Sequence, residues 1–195
     1  MLFRVAIVGH SQVPKELPNL PNAVQLQVFR APGARAHSFF SNDVLTAVFN
    51  HRFDLVILWI GSNDIHSRCN VAVIVDNIKA IVKQLEDNCT PKVKICLIEP
   101  RRLDPGRRPH LDQDHYNKIA KAINNKMQKR ALKHNDFITL GARPFFENLR
   151  RDGVHFNHQA QEHIKTKFTN AINHYYTTWP ERLWGYSDEN DKANQ

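Results

Sequence analysis

The stretch 54–60, Asp-Leu-Val-Ile-Leu-Trp-Ile, restricts the fold more than any other part of the chain. A run that is apolar at every position after the first offers neither face to water. It reads as a central strand of a parallel sheet covered on both sides. Parallel neighbours cannot be joined by tight turns and need crossovers, usually helices. The rest of the sequence supplies both. Residues 2–8 are a short apolar run ended by Gly9, and residues 24–29 alternate as a second strand ended by Ala31-Pro32-Gly33. Residues 93–98 read as a fourth strand and 137–140 as a short fifth. Apolar positions recur at helical spacing in 37–50, in 70–87, and from Asp112, a plausible N-cap, through Tyr116, Ile119, Ile123 and Met127. A last helix spans 158–176. Residues 14–22 carry three prolines, and 99–110 read as a polar loop rich in proline and arginine. This alternation predicts an α/β fold with a parallel sheet covered on both faces. One domain is expected over residues 1–178, with a polar, frayed tail over 179–195.

Charge is distributed unevenly. Residues 101–151 hold 13 Lys or Arg against 5 Asp or Glu, which accounts for the whole net charge of +8. A concentrated basic face suits an anionic partner, either RNA or acidic lipid, or it is simply a solvated surface. Arg101, Arg102, Arg107 and Arg108 are the candidate anion contacts. No apolar run approaches the roughly 18 residues a membrane span needs. Cys69, Cys89 and Cys96 are few, odd in number and without CxxC spacing, which argues against a disulfide framework and for a reducing, intracellular setting. The eleven histidines invite a metal reading, through His110 with His115 or His155 with His158. No HExxH and no cysteine or carboxylate cluster supports it, so no metal is expected.

Three groups of residues fall at strand ends or before the last helix. Ser11 follows the first strand through Gly9-His10, and a serine hydroxyl becomes a nucleophile only when a base takes its proton. Asp152-Gly153-Val154-His155 can fold a carboxylate back onto an imidazole, fixing its tautomer and stabilising the imidazolium. Gly33, after the second strand, exposes a backbone N–H without an obstructing Cβ. Asn63, in Gly61-Ser62-Asn63-Asp64 after the third strand, carries a side-chain NH2. With the Ser11 N–H these could form an oxyanion hole of three donors. In parallel sheets ligands bind beyond the carboxyl ends of the strands, where these residues fall. Singly, each is equally at home as a turn or capping residue.

Taken in order, this set resembles the SGNH hydrolase superfamily, also called GDSL esterases and lipases, from Val5 to about Tyr176. The resemblance implies a three-layer α/β/α sandwich around a five-stranded parallel sheet, of flavodoxin-like kind. It also implies carboxylic-ester hydrolysis without a cofactor. By that resemblance Ser11 matches the nucleophile, Gly33 and Asn63 the oxyanion donors, and Asp152 and His155 the acid and base. Two features depart from the pattern: His10 stands where the family usually has an aspartate, and the arginine-rich loop after the fourth strand is unusual for a small-ester hydrolase. The segments Gly9-His10-Ser11, Arg30-Ala31-Pro32-Gly33 and Trp59-Ile60-Gly61-Ser62-Asn63-Asp64 look like two narrower groups, the esterase-like domains of non-LTR retrotransposon proteins and the SGNH-like domain of Oskar. That likeness keeps open a second reading, a catalytically silent module that binds RNA through its basic surface. The start directly at a strand further suggests a domain cut from a larger protein.

Overall fold

The computed structural model describes residues 2–101, 112–129, 136–141, 150 and 155–179. Five strands, β1 (Phe3–Gly9), β2 (Val24–Arg30), β3 (Leu55–Trp59), β4 (Val93–Cys96) and β5 (Phe137–Ile138), form one sheet in the order β2-β1-β3-β4-β5. Every pairing is parallel, with Val5 opposite Leu55 and Gly9 opposite both Arg30 and Trp59. The α/β architecture expected from the sequence is therefore the one found.

Alternation of side chains along the strands sends two apolar sets to opposite faces. Phe3, Val5, Ile7, Leu55, Ile57 and Trp59 pack on one face against helix α4 (His158–Thr178), through Ala160, Ile164, Phe168 and Ile172. Ala6, Val8, Val56 and Leu58 pack on the other face against α2 (Val71–Asn88) and α3 (Gln113–Lys129). β3 is buried at every position, and β1 at every position but Arg4, which explains their apolar sequences. Burial of each such side chain contributes about 1.5–3 kcal/mol. At the end of α4, Tyr175, Tyr176 and Trp179 surround the Phe3 ring at centroid distances of 6.0, 5.4 and 5.1 Å. Trp179, at the start of the expected tail, packs at the helix end, as the sequence favoured for it. Residues 180–195 lie outside the described residues.

The helix expected over 37–50 is broken into three pieces: a 3-10 turn at Phe39–Ser41, helix α1 (Asp43–Thr46) and a second 3-10 turn at Ala47–Asn50. Asn42 is the cause. It adopts an extended backbone and its side chain accepts from Leu45 N, starting a new helix in the middle of the apolar pattern.

The segment after β4 also differs from expectation. Asn117 and Asn124, two turns apart on α3, each pair with one backbone residue. Asn124 accepts from Ile98 N at 3.0 Å and donates to its carbonyl at 2.8 Å; Asn117 does the same to Arg101 at 2.8 and 3.1 Å. The chain is thereby pinned along α3, and Glu99 and Arg101 are turned inward, 7% and 4% exposed. Glu99 accepts from Leu140 N at 3.0 Å, joining the ends of β4 and β5, while Lys92 and Asp136 pair at the other end of the same strands. Burial raises the Glu99 carboxyl to about 7, against the opposing pull of the Leu140 and Gly141 N–H groups.

Two consequences are measurable. A Cβ built on Gly9 would lie 2.0 Å from the Trp59 carbonyl oxygen, so neighbouring strand backbone, not a flexible side chain, must yield. Gly9→Ala is expected to destabilise by about 1–3 kcal/mol or more, read as a lower urea midpoint at unchanged slope. For Glu99 the native state holds its proton longer than the unfolded chain. Stability should therefore fall as pH rises between about 4.5 and 7, by up to about 3 kcal/mol. Glu99→Gln should flatten that decline, and parallel stability-versus-pH curves for the two proteins would count against the assignment.

Candidate active site

The carboxyl ends of β1, β2 and β3 gather the candidate residues. The turn after β1 starts where His10 N donates to the Trp59 carbonyl at 3.4 Å, and closes with Val13 N on the His10 carbonyl at 3.1 Å. Ser11 is half-buried while its neighbours His10, Gln12 and Val13 are 1%, 3% and 1% exposed. The buried neighbours anchor the turn and leave the serine at its rim. Arg30, at the end of β2, adds a bond from Nη1 to the Val13 carbonyl at 3.3 Å.

After β2, Ala31-Pro32-Gly33-Ala34 closes with Ala34 N on the Ala31 carbonyl at 3.2 Å. Proline second and glycine third, with Gly33 at φ +71°, is the sequence a type II turn demands. After β3, Gly61 takes φ +104° and leads into the 3-10 turn Ser62–Asp64. These two loops are latched together. Asn63 Nδ2 donates to the Ala34 carbonyl at 3.0 Å, and buried Asp64 accepts from Ala36 N at 2.7 Å, His37 N at 3.2 Å and His37 Nδ1 at 3.1 Å. The candidate oxyanion residues Gly33 and Asn63 therefore belong to one hydrogen-bonded unit. One hydrogen of the Asn63 amide is engaged with Ala34, and an amide carries two.

His155 sits just before α4, whose N-cap Asn157 accepts from Ala160 N at 3.0 Å. The next residue, Phe156, stacks with Trp59 at 6.3 Å and 8°, and its N–H donates to Gln12 Oε1 at 3.4 Å. That bond spans 144 residues and ties the His155 segment to the Ser11 turn. Asp152 lies outside the described residues, as do Arg102, Arg107, Arg108 and His110.

His10, in the family's aspartate position, is fully enclosed. Its ring lies 4.7 Å from that of Trp59, and its Nδ1 accepts from Gln12 N at 3.2 Å, which puts the proton of the neutral ring on Nε2. Burial first, then the positive charge of Arg101 and the proximity of His155, depress its pKa to about 3. His10 is thus uncharged at any working pH. Arg101 was grouped by sequence with exposed anion contacts, and the structure corrects this. Its guanidinium is buried, donates from Nη2 to Ser62 Oγ at 3.1 Å, and lies 5.4 Å from the centroid of the Tyr116 ring. Sequence reasoning also gave no role to Asp64, Gln12 or Glu99. The paired asparagines of α3, at heptad spacing beside its apolar stripe, were the available signal that the segment after β4 is held inward.

A surface pocket of about 560 Å³, lined by Phe40, Phe49, His51, Arg52, Gln84 and others, belongs to the opposite, amino end of the sheet. It is distinct from the rim that carries Ser11. No group of three or more His, Cys, Asp or Glu among the described residues is arranged to hold a metal. Nor is any helix among them long and apolar enough to cross a membrane.

Comparison with known proteins bears on the fold and the family. Among curated proteins none matches the chain. Solved structures do. A lipase/acylhydrolase from Enterococcus faecalis shares 18% identity at a TM-score of 0.63, covering 88% of this chain and 95% of its own. A carbohydrate esterase family 3 protein from Talaromyces cellulolyticus shares 16% at 0.65, covering 89% and 97%. Est24, a carbohydrate acetylesterase from Sinorhizobium meliloti, shares 15% at 0.66, covering 88% and 98%. At such identities the likeness establishes the fold. The family model of the GDSL-like lipase/acylhydrolases matches residues 9–163, a span that runs from the glycine ending β1 into α4, and the chain belongs to that family.

Proposed function

We propose that the protein is a serine esterase acting on carboxylic esters, with Ser11 as nucleophile and His155 as general base. The observation that carries this reading is the bond between Phe156 N and Gln12, which fixes the immediate neighbours of both residues to each other at the rim of the sheet. Family membership and the latched Gly33 and Asn63 loops support it.

In the proposed reaction, the Ser11 hydroxyl attacks the ester carbonyl as His155 takes its proton. The carbonyl oxygen becomes an anion held by the N–H groups of Ser11 and Gly33 and the free amide hydrogen of Asn63. Collapse of the tetrahedral intermediate expels the alcohol, which takes the proton back from the imidazolium. A water activated by the same imidazole then releases the acid and restores Ser11. Asp152 is assigned the carboxylate that orients His155. No step calls for a metal or organic cofactor.

Because solved relatives in fold include carbohydrate esterases, acetyl esters are suitable first substrates. The wild type should hydrolyse p-nitrophenyl acetate and take a fluorophosphonate label at Ser11. Ser11→Ala should lose both, and equal turnover by the two proteins would reject the proposal. Asn63→Ala should lower kcat by about 10²–10³-fold with KM little changed, as removal of one oxyanion donor does.

A further inference from the structure

Arg101 is a buried cation with no acid beside it among the described residues. It is 4% exposed, and among the described residues no carboxylate pairs with it and its Nη1 has no hydrogen-bond partner. Buried charges are normally paired, because desolvation is expensive. The fold nevertheless commits several groups to keeping this one in place. Asn117 grips its backbone at 2.8 and 3.1 Å, the Tyr116 ring lies 5.4 Å from its guanidinium carbon, and Nη2 donates to Ser62 Oγ at 3.1 Å. Ser62 opens the turn that presents Asn63, directly after Gly61 in its left-handed conformation.

We infer that Arg101 is a positioning residue for the oxyanion turn, acting through Ser62 to hold the Asn63 amide and bringing positive charge behind it. The inference rests on the serine-esterase reading and deepens it. A guanidinium offers a rigid planar fork of donors, so the bond to Ser62 fixes direction as well as distance. Displacement of a catalytic donor by about 1 Å can cost about 10²-fold in rate, so a support one residue from Asn63 has leverage on the reaction without touching substrate. The charge acts in the same sense. Negative charge develops on the carbonyl oxygen only as the transition state forms, and a fixed cation in a water-poor site favours that change without reorganising.

The signature is a loss in kcat without a loss in KM. Arg101→Met should lower kcat for p-nitrophenyl acetate by about 10- to 100-fold and leave KM within about two-fold. Arg101→Lys, which restores charge but not the fork, should recover part of it. Ser62→Ala should lower kcat in the same direction, and the double variant Ser62→Ala/Arg101→Met should be no slower than Arg101→Met alone, because both changes cut one link. Unchanged kcat in Arg101→Met, an effect confined to KM, or independent multiplying losses would overturn the inference. If Arg101→Met does not fold, Ser62→Ala alone decides: reduced kcat supports the link and wild-type kcat refutes it. Should the wild type neither turn over esters nor take the fluorophosphonate, the esterase reading falls by itself. Amide exchange at Asp64, whose N–H closes the turn on the Gly61 carbonyl at 3.1 Å, then decides the positioning role. Faster exchange there in Ser62→Ala, with α2 unaffected, upholds it, and unchanged exchange overturns it.

Discussion

The contact between β1 and β3 at their carboxyl ends sets the rest of the molecule. Gly9 has no side chain, and the Trp59 carbonyl occupies the space a Cβ would need. That carbonyl accepts from His10 N, so the chain leaves the sheet at a fixed point and turns back at once. Ser11 stays half-buried at the rim because the residues around it are drawn inward. The Trp59 side chain completes the arrangement from below, contacting the rings of His10, Phe156 and Phe168. One residue at the end of the central strand thus touches the serine turn, the histidine segment and the helix behind them. In a parallel sheet all strands end at the same edge, so a fixed departure point for one loop organises its neighbours.

The loops after β2 and β3 are held by a different device. Asp64 accepts from two backbone N–H groups and an imidazole of the 34–37 segment, and Asn63 donates to the Ala34 carbonyl beside them. Charge-assisted bonds to backbone N–H are among the stronger hydrogen bonds in proteins, about 1.5–3 kcal/mol each. They can give loops of irregular sequence a definite shape where no apolar packing would. The division of labour is physical: hydrophobic burial locates the strands, and a few buried polar groups locate the loops.

That division also explains what could be read from the sequence. β3 and, apart from Arg4, β1 are legible because burial on both faces writes an apolar run, and the helices α2, α3 and α4 are legible because one face is apolar. Ser11, Gly33, Asn63 and His155 stand out as candidates in the sequence because each follows a strand or precedes the last helix, where a parallel sheet gathers its loops. The break at Asn42 was not legible, since a capping side chain overrode an apolar pattern that continues through it. The inward turn of Glu99 and Arg101 was not legible either. Local composition around 99–110 is polar, and only contacts with Asn117 and Asn124, brought near by the tertiary fold, reverse the expectation. Charge in a sequence marks a residue that water would favour; it does not record which partners the fold provides.

The substitution of His10 for the family's usual aspartate gains meaning in this setting. A carboxylate beside the nucleophile would bring negative charge close to the place where an oxyanion must form. The imidazole found there is neutral, because burial and the nearby Arg101 disfavour its protonation. Among the described residues no carboxylate pairs with Arg101, whose guanidinium meets the oxyanion turn at Ser62, while buried Asp64 at the end of that turn is bonded to the 36–37 segment. A second cation at position 10 would be repelled by the first, whereas a neutral ring with a single N–H donor fits the same volume without that penalty. The two departures from the family pattern, a histidine before the serine and an arginine in the loop after β4, are therefore coupled through electrostatics. On the esterase reading their joint effect is a neutral ring at position 10 where a carboxylate would put negative charge beside the nucleophile.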